Sequence, residues 1–399
     1  MYTPSSAVIR FTLFLLALAL YLFVRFVWPA RLPMWSKALL TLLVFTAPFY
    51  PMITAGLWGG FVSPDAPRWA IVAINAHSGF LMILTAVTVL RDFALLLCFL
   101  VRRWSLRDLQ RVSGERRTAI GILLGSASLA LVGIVEGTRV PRTVSREVAL
   151  PDLPLEWDGF RIAHLSDIHV SSLFRRDHLK ELVAHTNALQ ADLILITGDL
   201  VDGRVPARLE DARPLAELSA PYGVWGCEGN HEHYSDYEGW MGIFPEFGIR
   251  ILRNEHTLLA RNGSFLGLVG LTDSMAPRFG RAAPDMRAAV SGIPAGVPQI
   301  LMVHRPGEAR RWAAENPAAI LQLSGHTHGG QLLSMHWVVA RLNAGFVKGF
   351  YDVARRAGRA MRLFVHPGSG LWNGFALRLG VPSEITLLTL RSASQNEAK

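Results

Sequence analysis

Cysteine is scarce, with Cys98 in an apolar stretch and Cys227 in an unrelated context as the only two in 399 residues, and this excludes a disulfide-stapled scaffold. Charge is scarce too. Asp, Glu, Lys and Arg make up 18% of the chain against 51% apolar residues, a balance that excludes disorder and leaves ample material for a buried core. Acidic side chains are thinnest at the N-terminal end, where residues 1–150 hold 15 basic and 6 acidic residues, while residues 151–399 hold 25 of each. The basic excess therefore belongs to the first part. The near-neutral remainder gives no electrostatic ground for a nucleic-acid partner. Internal repeats and low-complexity tracts are absent as well.

What the sequence does have is long apolar runs. Four crowd into residues 1–140, over about 8–28, 38–60, 70–90 and 119–136, each offering roughly the 17 to 25 residues that cross about 30 Å of hydrocarbon. The first is longer than a signal-peptide core and is followed by no small-x-small cleavage site, so it reads as an anchor. Pro48 and Pro51 free backbone carbonyls in the second and predict a kink. After Arg91 and Asp92 the third resumes as FALLLCFLV, too short to cross again, which predicts one long helix that tilts or leaves the bilayer. Asn75 and His77 inside it read as interhelical hydrogen-bond partners, with the lining of a polar site as the second option.

Arginine placement predicts orientation. Nine basic residues, Arg25, Arg31, Lys37, Arg102, Arg103, Arg107, Arg111, Arg116 and Arg117, fall on one side of four crossings. Five, Arg10, Arg68, Arg139, Arg142 and Arg146, fall on the other. The first and third loops are therefore expected in the cytoplasm and both termini outside. This describes a multi-pass protein of the plasma membrane, or the inner membrane in bacteria, with its C-terminal domain exoplasmic or periplasmic. The bilayer is the expected partner, and no protein partner is indicated.

Residues 141–154 read as a polar connector containing Pro141, Pro151 and Pro154, residues 155–390 as a folded domain and residues 391–399 as a tail. Within the domain, short apolar runs (RIAHLS, LILIT, GVWGC, FLGLVG, QILMVH, AILQLS, RLFVH, EITLLTL) alternate with amphipathic stretches near 175–189, 206–219, 234–247 and 307–315. That rhythm predicts an α/β fold. Five of the runs end in polar clusters: Asp167-Ile168-His169, Gly198-Asp199, Gly229-Asn230-His231-Glu232, His304, and Gly325-His326-Thr327-His328-Gly329-Gly330. Ligand sites in α/β sheets collect at such strand ends. Mn²⁺ and Mg²⁺ favour carboxylate and amide oxygens while Zn²⁺ and Fe²⁺ favour imidazole, so a mixed Asp, Asn and His set suits a hydrolytic metal pair. Gly203, Gly229, Gly325, Gly329 and Gly330 let the backbone turn tightly beside it.

The five blocks, in this order, resemble the calcineurin-like metallophosphoesterase superfamily, with D-x-H, GD, GNH-[DE], H and GH-x-H. GNHEHYSDYEGW, ILRNEH, GHTHGGQ and RLGVPSEITLLTL are similar to its branch of transmembrane proteins with a metallophosphoesterase domain. The resemblance implies two mixed β-sheets packed together and flanked by helices, and two divalent metal ions (Mn, Fe, Zn or Mg). It assigns Asp167, His169, Asp199 and His328 to one ion and Asn230, His304 and His326 to the other, with Asp199 bridging. It implies hydrolysis of a phosphoester or phosphodiester bond by metal-activated hydroxide, with His231 assisting the leaving group. A phosphorylated small molecule or lipid is the expected substrate, lipids being favoured by the tether. A membrane sensor or scaffold that binds a phosphorylated ligand without turnover is the alternative.

Among the remaining residues, Glu232 reads equally as an orienter of His231 or a helix cap, His233 as a surface residue with substrate contact as the second option, and Cys227 as a packed thiol. His164, His178, His185, His256, His336 and His366 match no ligand position and read as structural.

Overall fold

The computed structural model describes residues 6–59, 64–101, 116–355 and 358–392. The chain divides into two compact units, Met1–Val135 and Glu136–Lys399.

The first unit is helical. Helix α1 (Ser6–Leu22) continues into a π turn at Phe23–Val27. Helices α2 (Met34–Thr46) and α3 (Tyr50–Trp58) are separated by a tight 3₁₀ turn, Ala47–Phe49, where Pro48 and Pro51 withdraw backbone donors from the helical ladder. Helix α4 (Arg68–Leu100) is unbroken and spans about 50 Å at 1.5 Å per residue, well beyond the hydrocarbon thickness. Helix α5 (Arg116–Thr138) carries the chain across the unit boundary.

Among the described residues three helical stretches are long and apolar enough to cross a membrane, Met34–Trp58, Arg68–Leu100 and Arg117–Thr138, while the first apolar helix counts only Thr12–Val27. Leu13, Leu42, Leu57, Leu90, Leu124 and Leu131 all face outward, the pattern of helices solvated by lipid rather than water. Polar groups pair inside the unit. Arg25 bonds Asp92, which also accepts from the Tyr21 hydroxyl at 2.7 Å, and Tyr50 Oη meets His77 Nδ1 at 2.7 Å. The loop residues Arg102, Arg103, Arg107 and Arg111 lie outside the described residues, as do residues 393–399 of the tail.

The second unit is a two-sheet sandwich. One sheet runs β1 (Arg142–Leu150), β12 (Glu384–Ser392), β2 (Arg161–Leu165), β3 (Leu193–Thr197), β4 (Val224–Cys227), β5 (Ile249–Ile251). The other runs β10 (Gly349–Val353), β11 (Met361–Val365), β9 (Ala319–Ser324), β8 (Gln299–Met302), β7 (Ser264–Gly270), β6 (Glu255–Arg261). Both are mixed: β2 to β5 are parallel in the first, and β7, β8, β9 and β11 in the second.

Period-two alternation explains the layering. Leu193, Leu195, Leu388 and Leu390 meet Leu266, Leu268, Ile300, Met302, Leu321 and Leu323 in the core between the sheets. The intervening Leu301, Val303, Leu363 and Val365 face outward under Met286 and Ala289 of α10 (Met286–Val290) and Trp312 of α11 (Ala309–Glu315). Strands buried on both faces read as continuous apolar runs, which is why they were visible in sequence.

Most of the expected connector, residues 141–154, is instead a strand. Arg142–Leu150 is an edge strand, paired in parallel with β12 from Arg142↔Glu384 to Leu150↔Ser392. Its half-polar composition hid it, because only alternate residues are buried. Strand β6 was also missed, although Asn262-Gly263, both at positive φ (50° and 80°), is a two-residue hairpin signal joining it to β7.

His164 and His366 are fully buried, with rings 4.8 Å apart. Burial, then Arg378 and Arg146, lower the His366 imidazole to about 3. A depressed histidine stabilises the fold above its unfolded value and loses that contribution as pH falls toward the folded value. Going from pH 7 to pH 5 should therefore remove about 2 kcal/mol through His366 alone. In His366→Phe, denaturant titrations in detergent should show a pH 7-to-5 loss smaller by about that amount. Equal pH slopes in the two proteins would contradict it.

Candidate metal centre

The loops that leave the carboxyl ends of β2, β3, β4, β8 and β9 bring every expected ligand to one place. Asp167 and His169 follow β2, Asp199 follows β3, Asn230 and His231 follow β4, His304 follows β8, and His326 and His328 follow β9. The turns are sharp enough to force unusual backbone. Asp167 (φ 51°), His169 (50°), Asp199 (54°), His326 (69°) and His328 (47°) all sit in the left-handed region, a strain of order 1–3 kcal/mol each that side chains other than glycine rarely accept. Glycine supplies the remaining clearance. A Cβ on Gly229 would fall on the Asp199 carboxylate, and one on Gly325 would fall on Ser166 Oγ and Asp167 Oδ2.

Asp199 lies at the middle of the cluster. Its Oδ2 is 3.1 Å from His304 Nε2 and 3.7 Å from His169 Nε2, while Oδ1 accepts the His231 backbone N–H at 2.8 Å. On one side His169 Nε2 and His328 Nε2 stand 3.3 Å apart, with Asp167 Oδ1 3.5 Å from His328 Nε2. On the other side stand His304 and His326, with rings 5.1 Å apart. Three groupings have ligand atoms close enough to hold an ion: Asp167, His169 and His328; Asp199, His304 and His326; and His169, Asp199 and His231.

Surrounding groups aim these donors. His304 Nδ1 donates to the Thr197 carbonyl at 2.7 Å, which turns Nε2 toward Asp199. Ser166 Oγ and the His326 N–H both donate to Asp167, at 2.7 Å and 3.0 Å. Glu232 accepts three backbone N–H groups, from Gly229 (2.6 Å), Leu200 (2.6 Å) and Asp199 (3.0 Å). That fulfils the capping role for the short helix α8 (Asn230–Tyr234) and excludes the orienting one. Asp202 orients His231 instead, through Nδ1 at 2.6 Å, and its second oxygen is 3.3 Å from His169 Nδ1. Arg305 donates to both oxygens of Asp273 and, through Nη1, to His326 Nε2 at 3.1 Å.

Electrostatics follow from burial and this crowding. Burial would raise the Asp199 carboxyl, but His304 and His231 pull it well below the usual carboxylate range. Burial opposes charge on His304 and His231, yet Asp199 lifts the first to about 10, and Asp202 with Asp199 lifts the second to about 9. Burial, reinforced by Arg305 at His326 and by His169 at His328, holds those two imidazoles well below their ordinary value. Neutral imidazole is the form that ligates a cation.

The residues fit divalent ions. Asn230 Oδ1 is a buried polar atom without a hydrogen-bond partner, in the turn next to a cluster of oxygen and nitrogen donors of the kind Mn²⁺, Fe²⁺, Zn²⁺ or Mg²⁺ accepts. Sequence reasoning missed Asp202 and Arg305. A second carboxylate three residues after Asp199 was the available signal for the first. His233 is no surface residue: it is buried, 3.1 Å from Glu228 Oε1 and stacked on Tyr237. Burial holds the Cys227 thiol well above its ordinary value, in keeping with a packed side chain.

A sandwich of two mixed sheets that gathers carboxylates, an amide and imidazoles at its strand ends has the architecture of a metallophosphoesterase. The calcineurin-like phosphoesterase profile matches residues 160–330, and the chain belongs to the calcineurin-like metallophosphoesterase family. It is 33% identical over 287 residues to the "Transmembrane protein with metallophosphoesterase domain" of Danio rerio, a match covering 70% of this chain and 64%, less than two thirds, of that relative. The Bos taurus protein of the same name is 29% identical over 349 residues, covering 82% of this chain and 77% of its own. An uncharacterized metallophosphoesterase of Helicobacter pylori is 30% identical over 308 residues, covering 76% and 80%. These names and the apolar helices of the first unit support association with a membrane.

Proposed function

We propose that this chain is a membrane-tethered phosphoesterase with a two-metal centre that hydrolyses a phosphoester or phosphodiester bond of a lipid or lipid-linked substrate. The placement of Asp199 carries the reading. Its carboxylate lies between His304 and His169, with Asp167, His169 and His328 grouped on one side and His304 and His326 on the other, and it accepts the backbone N–H of His231, the residue after Asn230. Divalent ions held there would supply Lewis acidity, bringing a water's pKa toward neutrality and offsetting phosphoryl charge.

The chain's own residues do the rest. Asp202 holds His231 by Nδ1, which presents Nε2 and its proton for the departing oxygen. Tyr234 and Trp372 flank the His231 ring at 5.4 and 6.0 Å and restrict its rotation. With the full-length chain in detergent and Mn²⁺, His231→Ala should lower turnover of a chromogenic phosphodiester by about 10²- to 10⁴-fold while metal content stays unchanged. Unaltered turnover would remove His231 from the reaction. Metal-loaded protein that binds inorganic phosphate but cleaves no ester in a lipid and non-lipid screen would favour the sensor reading.

The lipid preference is supported by the tether, which raises the local concentration of membrane substrates. The topology proposed with it has four crossings, cytoplasmic first and third loops, and an exoplasmic catalytic domain. Nine basic residues against five support it. A reporter fused after Lys399 should behave as exoplasmic, and cytoplasmic behaviour would invert the topology.

A further inference from the structure

We propose that Leu333–Leu342 is an interfacial anchor that lies in the headgroup layer of an anionic bilayer, an inference that rests on the membrane-tethered reading above. The segment is a 3₁₀ turn, Leu333–Met335, running into helix α12 (His336–Leu342). Leu333, Trp337 and Leu342 are 67%, 70% and 78% exposed. Three of the seven exposed large apolar side chains among the described residues of the second unit thus fall within ten consecutive positions. A folded surface in water does not favour such a concentration.

Two features select a bilayer as the occupant. Tryptophan beside leucine, with cations close by, is the composition that partitions into the interface between hydrocarbon and water. The stretch of chain that carries the helix is also one-signed: between Glu315 and Asp352 residues 316–351 contain no Asp or Glu, while Arg341 and Lys348 are exposed there. Anionic headgroups complement that surface and an acidic one would oppose it.

The segment is tied to the metal loop, which gives the contact a consequence. Leu332 bridges Leu379 and Gly380, the Gly330 backbone abuts His336, and Lys348 lies against Gly329, one residue after His328. An anchored helix would hold the Gly329–Gly330 turn, next to His328, near the level where lipid phosphates lie.

Probe accessibility in the full-length chain tests this without requiring turnover. A fluorophore is attached at Trp337→Cys in a Cys98→Ser background, leaving buried Cys227 unlabelled, with Leu333→Cys as a second position and Phe265→Cys, exposed on β7, as the control. The protein is reconstituted in phosphatidylcholine–phosphatidylglycerol nanodiscs. Nitroxide-labelled lipid should quench the probes at 337 and 333 about fivefold more than the control, aqueous iodide should quench them less, and replacing the phosphatidylglycerol should weaken the contrast. Iodide quenching equal to the control at both positions would overturn the proposal. So would protection from iodide without lipid quenching, because a protein surface, such as a second copy, would then be the cover. Failure of the phosphoesterase reading would appear as absent turnover with the probe contrast intact.

Discussion

Asp199→Asn is expected to abolish useful turnover, lowering kcat by at least about 10³-fold, and to release bound metal. The carboxylate belongs to two of the three ligand groupings, with Oδ2 3.1 Å from His304 Nε2 and 3.7 Å from His169 Nε2, and is the proposed bridge. An amide of the same shape presents one oxygen and no charge, so one set loses its anionic ligand and the phosphoryl group loses the compensation worth several kcal/mol in such sites. At 1.36 kcal/mol per tenfold, about 4 kcal/mol gives the stated factor. The isostere keeps Oδ1 for the His231 N–H, so the short helix should persist and folding should be little changed. Elemental analysis should report less than the wild-type metal content, and circular dichroism an unchanged fold. Wild-type metal content with wild-type turnover would refute the bridging role.

Glu232→Ala should produce the largest loss of stability. The carboxylate is buried and accepts the backbone N–H groups of Gly229, Leu200 and Asp199 at 2.6, 2.6 and 3.0 Å. Deleting it strands three donors, each costing about 1–3 kcal/mol when left without a partner, less whatever water can enter the space, so about 4 kcal/mol is expected. The loss bears on function because Asp199 is held at φ 54° partly by its bond to Glu232, and freeing the turn lets the Asp199 carboxylate drift. Denaturant titration of the second unit within the full-length chain, with and without added Mn²⁺, measures it. A cost below about 1 kcal/mol would show that the three donors find other partners.

The candidate metal donors were legible in sequence because they follow parallel strands, and strands buried on both faces announce themselves as unbroken apolar runs. LILIT ending in Gly198-Asp199 and AILQLS ending in Gly325-His326 are such signals. Edge strands gave weaker ones. Arg142–Leu150 buries only alternate residues, so its sequence reads as a linker and its strand character lies in the nine-residue register with β12. Glu232 and His233 were ambiguous for a different reason: a polar side chain's role depends on which donor or acceptor lies opposite it, and those partners are distant in sequence. Glu232 turned out to bind backbone from the β3 loop, and His233 paired inward with Glu228.

Composition and local pattern thus determined the apolar helices, the α/β character of the second unit, and the order of the five turns that carry the candidate ligands, because each is set by hydrophobic periodicity or by residues adjacent along the chain. Tertiary structure alone decided that Asp202 holds His231, that Arg305 sits against His326, and that five candidate ligands adopt left-handed backbone. Those features come from contacts between separate loops, where the geometry of packed sheets, and no local preference of the chain, sets which atoms meet.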